Sequence, residues 1–156
     1  MTYRTVRQAI INQEGQTMLF DLTTPFGARI DRRLRDEQVI WLTTVGPSGT
    51  PQPNPVWFLW EGDSFLIYTQ PASSKVRNLR HNPRVALHFD SGAGGEDVMV
   101  FTGSAILEES APLAHNNPAY LEKYRSGIAD IEMTPESMGE SYNLAIRVRP
   151  DKVRGF

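Results

Sequence analysis

Residues 73–90 read SSKVRNLRHNPRVALHFD. Two hydroxyl residues stand ahead of a lysine, and Ser73 or Ser74 is a natural helix N-cap whose oxygen can accept from an otherwise unpaired first-turn amide. Val76 and Leu79 give the helix that follows one apolar face. Pro83 pushes Asn82 out of helical geometry and ends it. Val85, Leu87 and Phe89 then alternate with Ala86 and His88, which is strand spacing. The segment therefore predicts a cap, a short basic helix, a turn and a strand. A helix start gathers free N–H groups and the positive end of the dipole, and Lys75 adds a full charge beside them. Such a place suits an anionic group, a phosphate above all. An ordinary capped surface helix with a solvated basic face would carry the same residues.

Upstream, Thr24-Pro25 predicts a second helix start, with proline at the position whose missing N–H would be unpaired anyway. Phe26, Ile30 and Leu34 form its apolar stripe. Arg29, Arg32, Arg33 and Arg35 crowd the remainder, as a solvated face or as a contact for an anionic ligand tail. Residues 1–22 have no clean period and read as an N-terminal arm, in which Val6, Ile10 and Ile11 suit a helical turn or two.

After that helix the period changes. Residues 39–45 (VIWLTTV) predict a strand, residues 46–51 (GPSGTP) a turn, and residues 55–60 (PVWFLW) a second strand. Pro53 and Pro55 cannot donate ladder bonds, so that strand should start at an edge or a bulge, where backbone is free to meet a ligand. Glu61-Gly62-Asp63 closes a hairpin into residues 64–70 (SFLIYTQ). Beyond residues 73–90, the glycines of 91–97 (SGAGGED) mark a flexible hairpin loop that lacks a phosphate-loop pattern. Residues 98–107 (VMVFTGSAIL) predict a strand with a bulge at Gly103. Residues 112–125 hold a helix, best formed from Pro118, and 140–148 (ESYNLAIRV) a last strand. The tail 149–156 either frays or joins a sheet edge or a partner chain. Six strands with one helical crossover, between the third and fourth, predict a mainly β protein, a barrel with peripheral helices.

The composition narrows function. The chain has 156 residues, 40% hydrophobic and 22% charged, enough to bury a core as one domain. With no cysteine, disulfides, thiolate metal sites and cysteine nucleophiles are excluded. A net charge of -2 argues against general nucleic-acid binding. His81, His88 and His115 are scattered and show no metal-binding spacing. No apolar run resembles a signal peptide or a membrane span, so a cytoplasmic protein is expected.

The order of motifs is more specific than any one of them. GPSGTPQPNPVWF, FLIYTQPASSKVRNLRHNPRVAL, FTGSAIL and RVRPDKVRGF follow one another from about Leu34 to Phe156. This order resembles the pyridoxamine 5′-phosphate oxidase-like split β-barrel superfamily, and within it the flavin/deazaflavin oxidoreductase branch that commonly uses coenzyme F420. The resemblance implies a six-stranded antiparallel split β-barrel over residues 23–156, a homodimer with two cofactor grooves between the subunits, and RVRPDKVRGF near the dimer interface. It implies that Ser73, Ser74 and Lys75 hold a cofactor phosphate, with Asn78 and Arg80 close by. It places Asn54, Pro55, Val56 and Trp57 beside the cofactor ring, and Tyr68, Thr69 and Gln70 on the neighbouring strand.

The implied activity is F420H2-dependent hydride transfer to a conjugated substrate such as a quinone, an enone or a tetrapyrrole. Such chemistry needs placement and electrostatics more than a side-chain nucleophile, which matches the absence of a nucleophile–base pair. The arginines of 29–35 or 77–80 would meet the acidic tail of F420. Tyr68, Tyr142 or water would supply a proton. FMN in the same groove is the alternative cofactor, and a non-catalytic flavin, deazaflavin or haem-binding role the alternative function, His81 and His88 being the residues that keep haem open. The Arg-x-His substrate motif of the pyridoxamine phosphate oxidases themselves is missing, so that particular activity is not expected.

Overall fold

A computed structural model describes residues 4–6, 10–11 and 13–156. The elements run β1 (Arg4–Val6), β2 (Ile10–Ile11), β3 (Thr17–Met18), α1 (Pro25–Asp36), β4 (Val39–Val45), β5 (Pro51–Trp57), β6 (Leu59–Trp60) and β7 (Phe65–Thr69). After these come α2 (Ser74–His81), β8 (Arg84–His88), β9 (Met99–Leu107), a 3-10 turn (Ala114–Asn116), α3 (Pro118–Asp130), α4 (Pro135–Ser141) and β10 (Leu144–Gly155). The main sheet is antiparallel, in the order β5-β4-β8-β9-β10-β7-β6, with β1 added on β10. Its curl comes from one chain segment. β5 forms one edge, Phe58 leaves the ladder, and β6 resumes pairing at the opposite edge. The two edges are thus consecutive in sequence, and the barrel is split at Phe58.

Alternation fills the interior. Ile40 and Leu42 of β4, Val85 and Leu87 of β8, Met99, Phe101 and Ala105 of β9, and Ile146, Val148 and Val153 of β10 share one core with Phe58, Phe65 and Ile67. The stripe Phe26, Ile30 and Leu34 of α1 packs into the same core, as its fourfold spacing predicts. β7 is buried on both faces. Its other face, Leu66 and Tyr68, meets a second cluster built from Tyr120, Tyr124 and Ile128 of α3 and Met138 of α4.

Several elements fall where the sequence puts them. Thr24 caps α1, its hydroxyl accepting from the Gly27 amide (3.0 Å), with Pro25 at the first turn. α2 is the one helical crossover, and the prolines of β5 lie on an edge strand. Others differ. The regular elements described within 1–22 are strands, not a helical turn: Val6 pairs with Val153, and Ile10 with Met18. The second strand starts at Pro51, four residues early, and breaks at Phe58. The bulge lies on β10 between Pro150 and Lys152, and Gly103 stands opposite it because a Cβ there would strike the Arg149 carbonyl. The tail neither frays nor leaves the sheet. It continues β10 to Gly155, paired with β9 on one side and β1 on the other.

α4 has no counterpart in the sequence reading. A capping box between Thr134 and Ser137 starts it, and Gly139 lets it lie against the His115 ring. Among the described residues no helix is long and apolar enough to cross a membrane.

Candidate cofactor groove

Where the barrel is split, β5 and β7 face the helical layer across a groove of ≈ 500 Å³. Pro55, Val56 and Trp57 form one wall, and Tyr68, Thr69 and Gln70 the next. Ser73 and Lys75 stand at one end, and Val39, Tyr120, Ile131, Met138 and Tyr142 complete the lining. Trp57 is held by stacking on Tyr124, ring centroids 4.7 Å apart and nearly parallel at 8°. Val39 and Ile131 are exposed and give the mouth an apolar rim.

The start of α2 is less self-satisfied than the sequence suggests. Ser73 occupies the cap position with extended backbone, but its side chain makes no cap hydrogen bond. Its hydroxyl instead shares a hydrogen bond with the Thr69 hydroxyl at the end of β7 (3.2 Å). The first-turn amides are therefore left without the side-chain acceptor that a serine cap normally supplies. Lys75, half-buried beside them, has no acceptor among the described residues, and burial holds its ammonium below the usual lysine range. Uncapped amides and a desolvated, unpaired cation fit a phosphate.

The predicted site residues divide. Pro55, Val56, Trp57, Tyr68, Thr69, Gln70, Ser73 and Lys75 are brought together in the groove. Asn54, Ser74, Asn78 and Arg80 are not among its lining residues. Asn54 precedes the wall on β5, and Ser74 and Arg80 are exposed on α2. Asn78 is buried and acts as a pin: its Nδ2 donates to Thr44 Oγ1 (3.0 Å) and Gln52 Oε1 (2.8 Å), fastening α2 to β4 and β5. Tyr68 lines the groove with its hydroxyl already committed, donating to the Pro112 carbonyl (2.6 Å) and accepting from Asn117 (3.1 Å). Burial raises its phenol above the usual range.

The arginines of α1 are directed away from the groove. Arg29 and Arg33 pair with Asp97 (3.1 and 3.0 Å) and latch the glycine-rich loop, while Arg35 pairs with Asp31. Arg77 and Arg80, on the helix that carries Lys75, remain exposed. His88 stacks on Trp41 outside the groove, and no cluster of metal-ligating side chains occurs among the described residues. Sequence reasoning missed Val39, Tyr120, Ile131 and Met138. The start of α4 was signalled by Thr134-Pro135, the same cap-and-proline pair as Thr24-Pro25.

Comparison with known proteins agrees with this architecture. A segment of 60 residues is 35% identical to pyridoxine/pyridoxamine 5′-phosphate oxidase of Edwardsiella ictaluri, covering 38% of this chain but only 28% of that relative. Among solved structures, an F420 reductase superposes with TM-score 0.57 at 24% identity, over 79% of this chain and 94% of that one. The haem storage protein HutZ of Vibrio cholerae superposes with TM-score 0.58 at 13% identity, over 85% and 94%. At such identities these structures share the fold. The model of the pyridoxamine 5′-phosphate oxidase family matches residues 26–156, nearly the whole split barrel, and the chain belongs to that family.

Proposed function

We propose that the groove binds a flavin-type cofactor through its phosphate and that the protein is an F420H2-dependent reductase of conjugated organic substrates, of the quinone, enone or tetrapyrrole class. The observation that carries this reading is Lys75, desolvated and without an acceptor among the described residues, beside the start of α2 that Ser73 does not cap. When bound, the reduced deazaflavin supplies a hydride. The protein's part is placement. Lys75 and the first-turn amides hold the phosphate, with Ser73 beside them. Pro55, Val56 and Trp57 would flank the cofactor ring, and the apolar lining at Ile131 and Met138 would limit water around it. Tyr68 keeps its proton on Pro112, so it acts as a fixed wall, and Tyr142 or solvent is the better proton source. Arg77 and Arg80, exposed on the helix that carries Lys75, are the arginines placed to meet an acidic cofactor tail, since Arg29, Arg33 and Arg35 are paired elsewhere.

The functional unit on this reading is a homodimer whose second subunit covers the exposed rim at Val39 and Ile131. FMN in the same groove is the second reading. It is favoured by the family match and by a phosphate site that does not itself discriminate between the two cofactors.

Titration of both cofactors at low and high ionic strength separates them. F420 should bind more tightly than FMN and lose more affinity with salt, because contacts with its tail are exposed and screened. Equal affinities, or a preference for FMN at both ionic strengths, would replace deazaflavin by FMN. Light scattering on the same samples should return about twice the 17.6 kDa chain mass, and a monomer mass would remove the dimer.

A further inference from the structure

The groove has two chemically different ends. α2, which carries Lys75, is fastened by Asn78 to Thr44 and Gln52, at the hairpin end of the β4–β5 ladder. The other end of that ladder is the pair Val39 and Trp57, five residues or about 17 Å away along β4. Trp57 meets α3 there: a Cβ on Gly127 would stand 3.3 Å from its ring. Ile131 follows one turn later, its amide bonded to the Gly127 carbonyl. Val39 and Ile131 are 42% and 49% exposed, two large apolar side chains on the rim of a groove that Val56 and Met138 also line. Among the described residues Lys75 is the one charged side chain in the lining. Asp130 and Glu132, both exposed, flank Ile131 in the chain and put negative charge outside the rim.

We infer that the Val39–Ile131 end seats a second ligand that is uncharged and built on a planar ring, and that Ile131 is a residue that enforces this choice. The inference rests on the reading of Lys75 as the cofactor's phosphate site, because the one cation of the lining is then taken. A second anion would leave water for apolar walls, find no counter-charge there, and meet Asp130 and Glu132 at the mouth. An uncharged planar ring loses little on leaving water and gains the surfaces of Val39, Trp57 and Ile131. Within the substrate classes proposed above, this selects uncharged quinones and enones over tetrapyrroles that carry carboxylates.

The protein saturated with F420 or FMN, whichever binds more tightly, is titrated by calorimetry with 1,4-naphthoquinone and with 1,4-naphthoquinone-2-sulfonate, the same ring system bearing one negative charge. The chain has no cysteine to react with either. The wild type should prefer the uncharged quinone by about tenfold or more. Ile131→Lys puts a cation on the rim. It should tighten the sulfonate by about threefold, the worth of an exposed ion pair, and weaken the uncharged quinone, so the preference narrows. Ile131→Ser should weaken the uncharged quinone and leave the sulfonate unchanged. Thermal midpoints check folding, and Val39→Lys makes the same test from β4 if Ile131→Lys does not fold. A wild type that binds both alike or prefers the sulfonate, or a preference that neither lysine variant narrows, would overturn the inference. Lys75→Ala without cofactor should show the preference too, since no charge is then left in the lining among the described residues. That preference, alongside failure of F420 and FMN to bind the wild type, would sink the cofactor reading and leave this inference standing.

Discussion

Lys123 serves the split at Phe58 together with Tyr124, Lys75 lines the groove, and the bonding of the two lysines is opposite. At Phe58 the chain has left the ladder in the middle of the core, and its backbone groups need partners. Tyr124 provides them: its hydroxyl accepts from the Phe58 amide (2.8 Å) and donates to the carbonyl of Phe58 (2.8 Å) or of Gln38 (2.7 Å). Lys123 donates to the same Phe58 carbonyl (2.9 Å) and lies 3.7 Å from the centre of the Phe58 ring. Lys75, across the groove, has no acceptor among the described residues. Buried polar groups bonded within the chain hold the barrel at its break.

The largest effect should come from breaking the first region. Tyr124→Phe leaves the buried amide of Phe58 without a partner and leaves its carbonyl with Lys123 alone, so stability in urea should fall by about 2–3 kcal/mol. A loss below about 0.5 kcal/mol would mean that water replaces the hydroxyl at the split.

A smaller effect sharpens the comparison of the lysines. Burial lowers Lys123 to about 8, against the opposing pull of Glu37 and Asp36. Below pH 8 both folded and unfolded chains carry its proton, and the cost of burying the charge is felt in full. Between pH 8 and the ordinary lysine value the folded chain sheds a proton that the unfolded chain keeps, so stability should rise with pH. Lys75 is shifted in the same direction. Lys123→Met should remove the larger part of the rise seen by chemical denaturation between pH 8 and 10, and Lys75→Met the remainder. A profile that neither substitution alters would show that neither ammonium is desolvated.

Much of this arrangement was legible in the sequence because it is local. Thr24-Pro25, the period change at Val39, and the cap–helix–Pro83–strand series of residues 73–90 each act within a few residues. The resemblance in motif order supplied the barrel. The unread parts depend on distant partners. Residues 4–6 become a strand because β10 offers an edge. Phe58 interrupts an apolar run because the sheet must close, which periodicity does not register. Ser73 or Ser74 reads as the cap of α2; Ser73 takes the cap position, but its hydroxyl bonds Thr69 rather than a first-turn amide, a partner visible only in the fold. Tyr120 belongs to a helix recognised in the sequence, but its ring faces the groove only once α3 has docked on β7.

The central claim is that Lys75 and the open start of α2 hold a phosphate. The direct test compares each cofactor with its phosphate-free core, FMN with riboflavin and F420 with the ribityl deazaflavin, on the wild type and on Lys75→Ala. The phosphorylated ligand should bind the wild type more tightly, and Lys75→Ala should weaken it by about 1.5–3 kcal/mol, the range for a charge-assisted hydrogen bond, while the phosphate-free core binds both proteins alike. Equal weakening of both ligands, or an unchanged affinity for the phosphorylated one in a folded variant, would contradict the account.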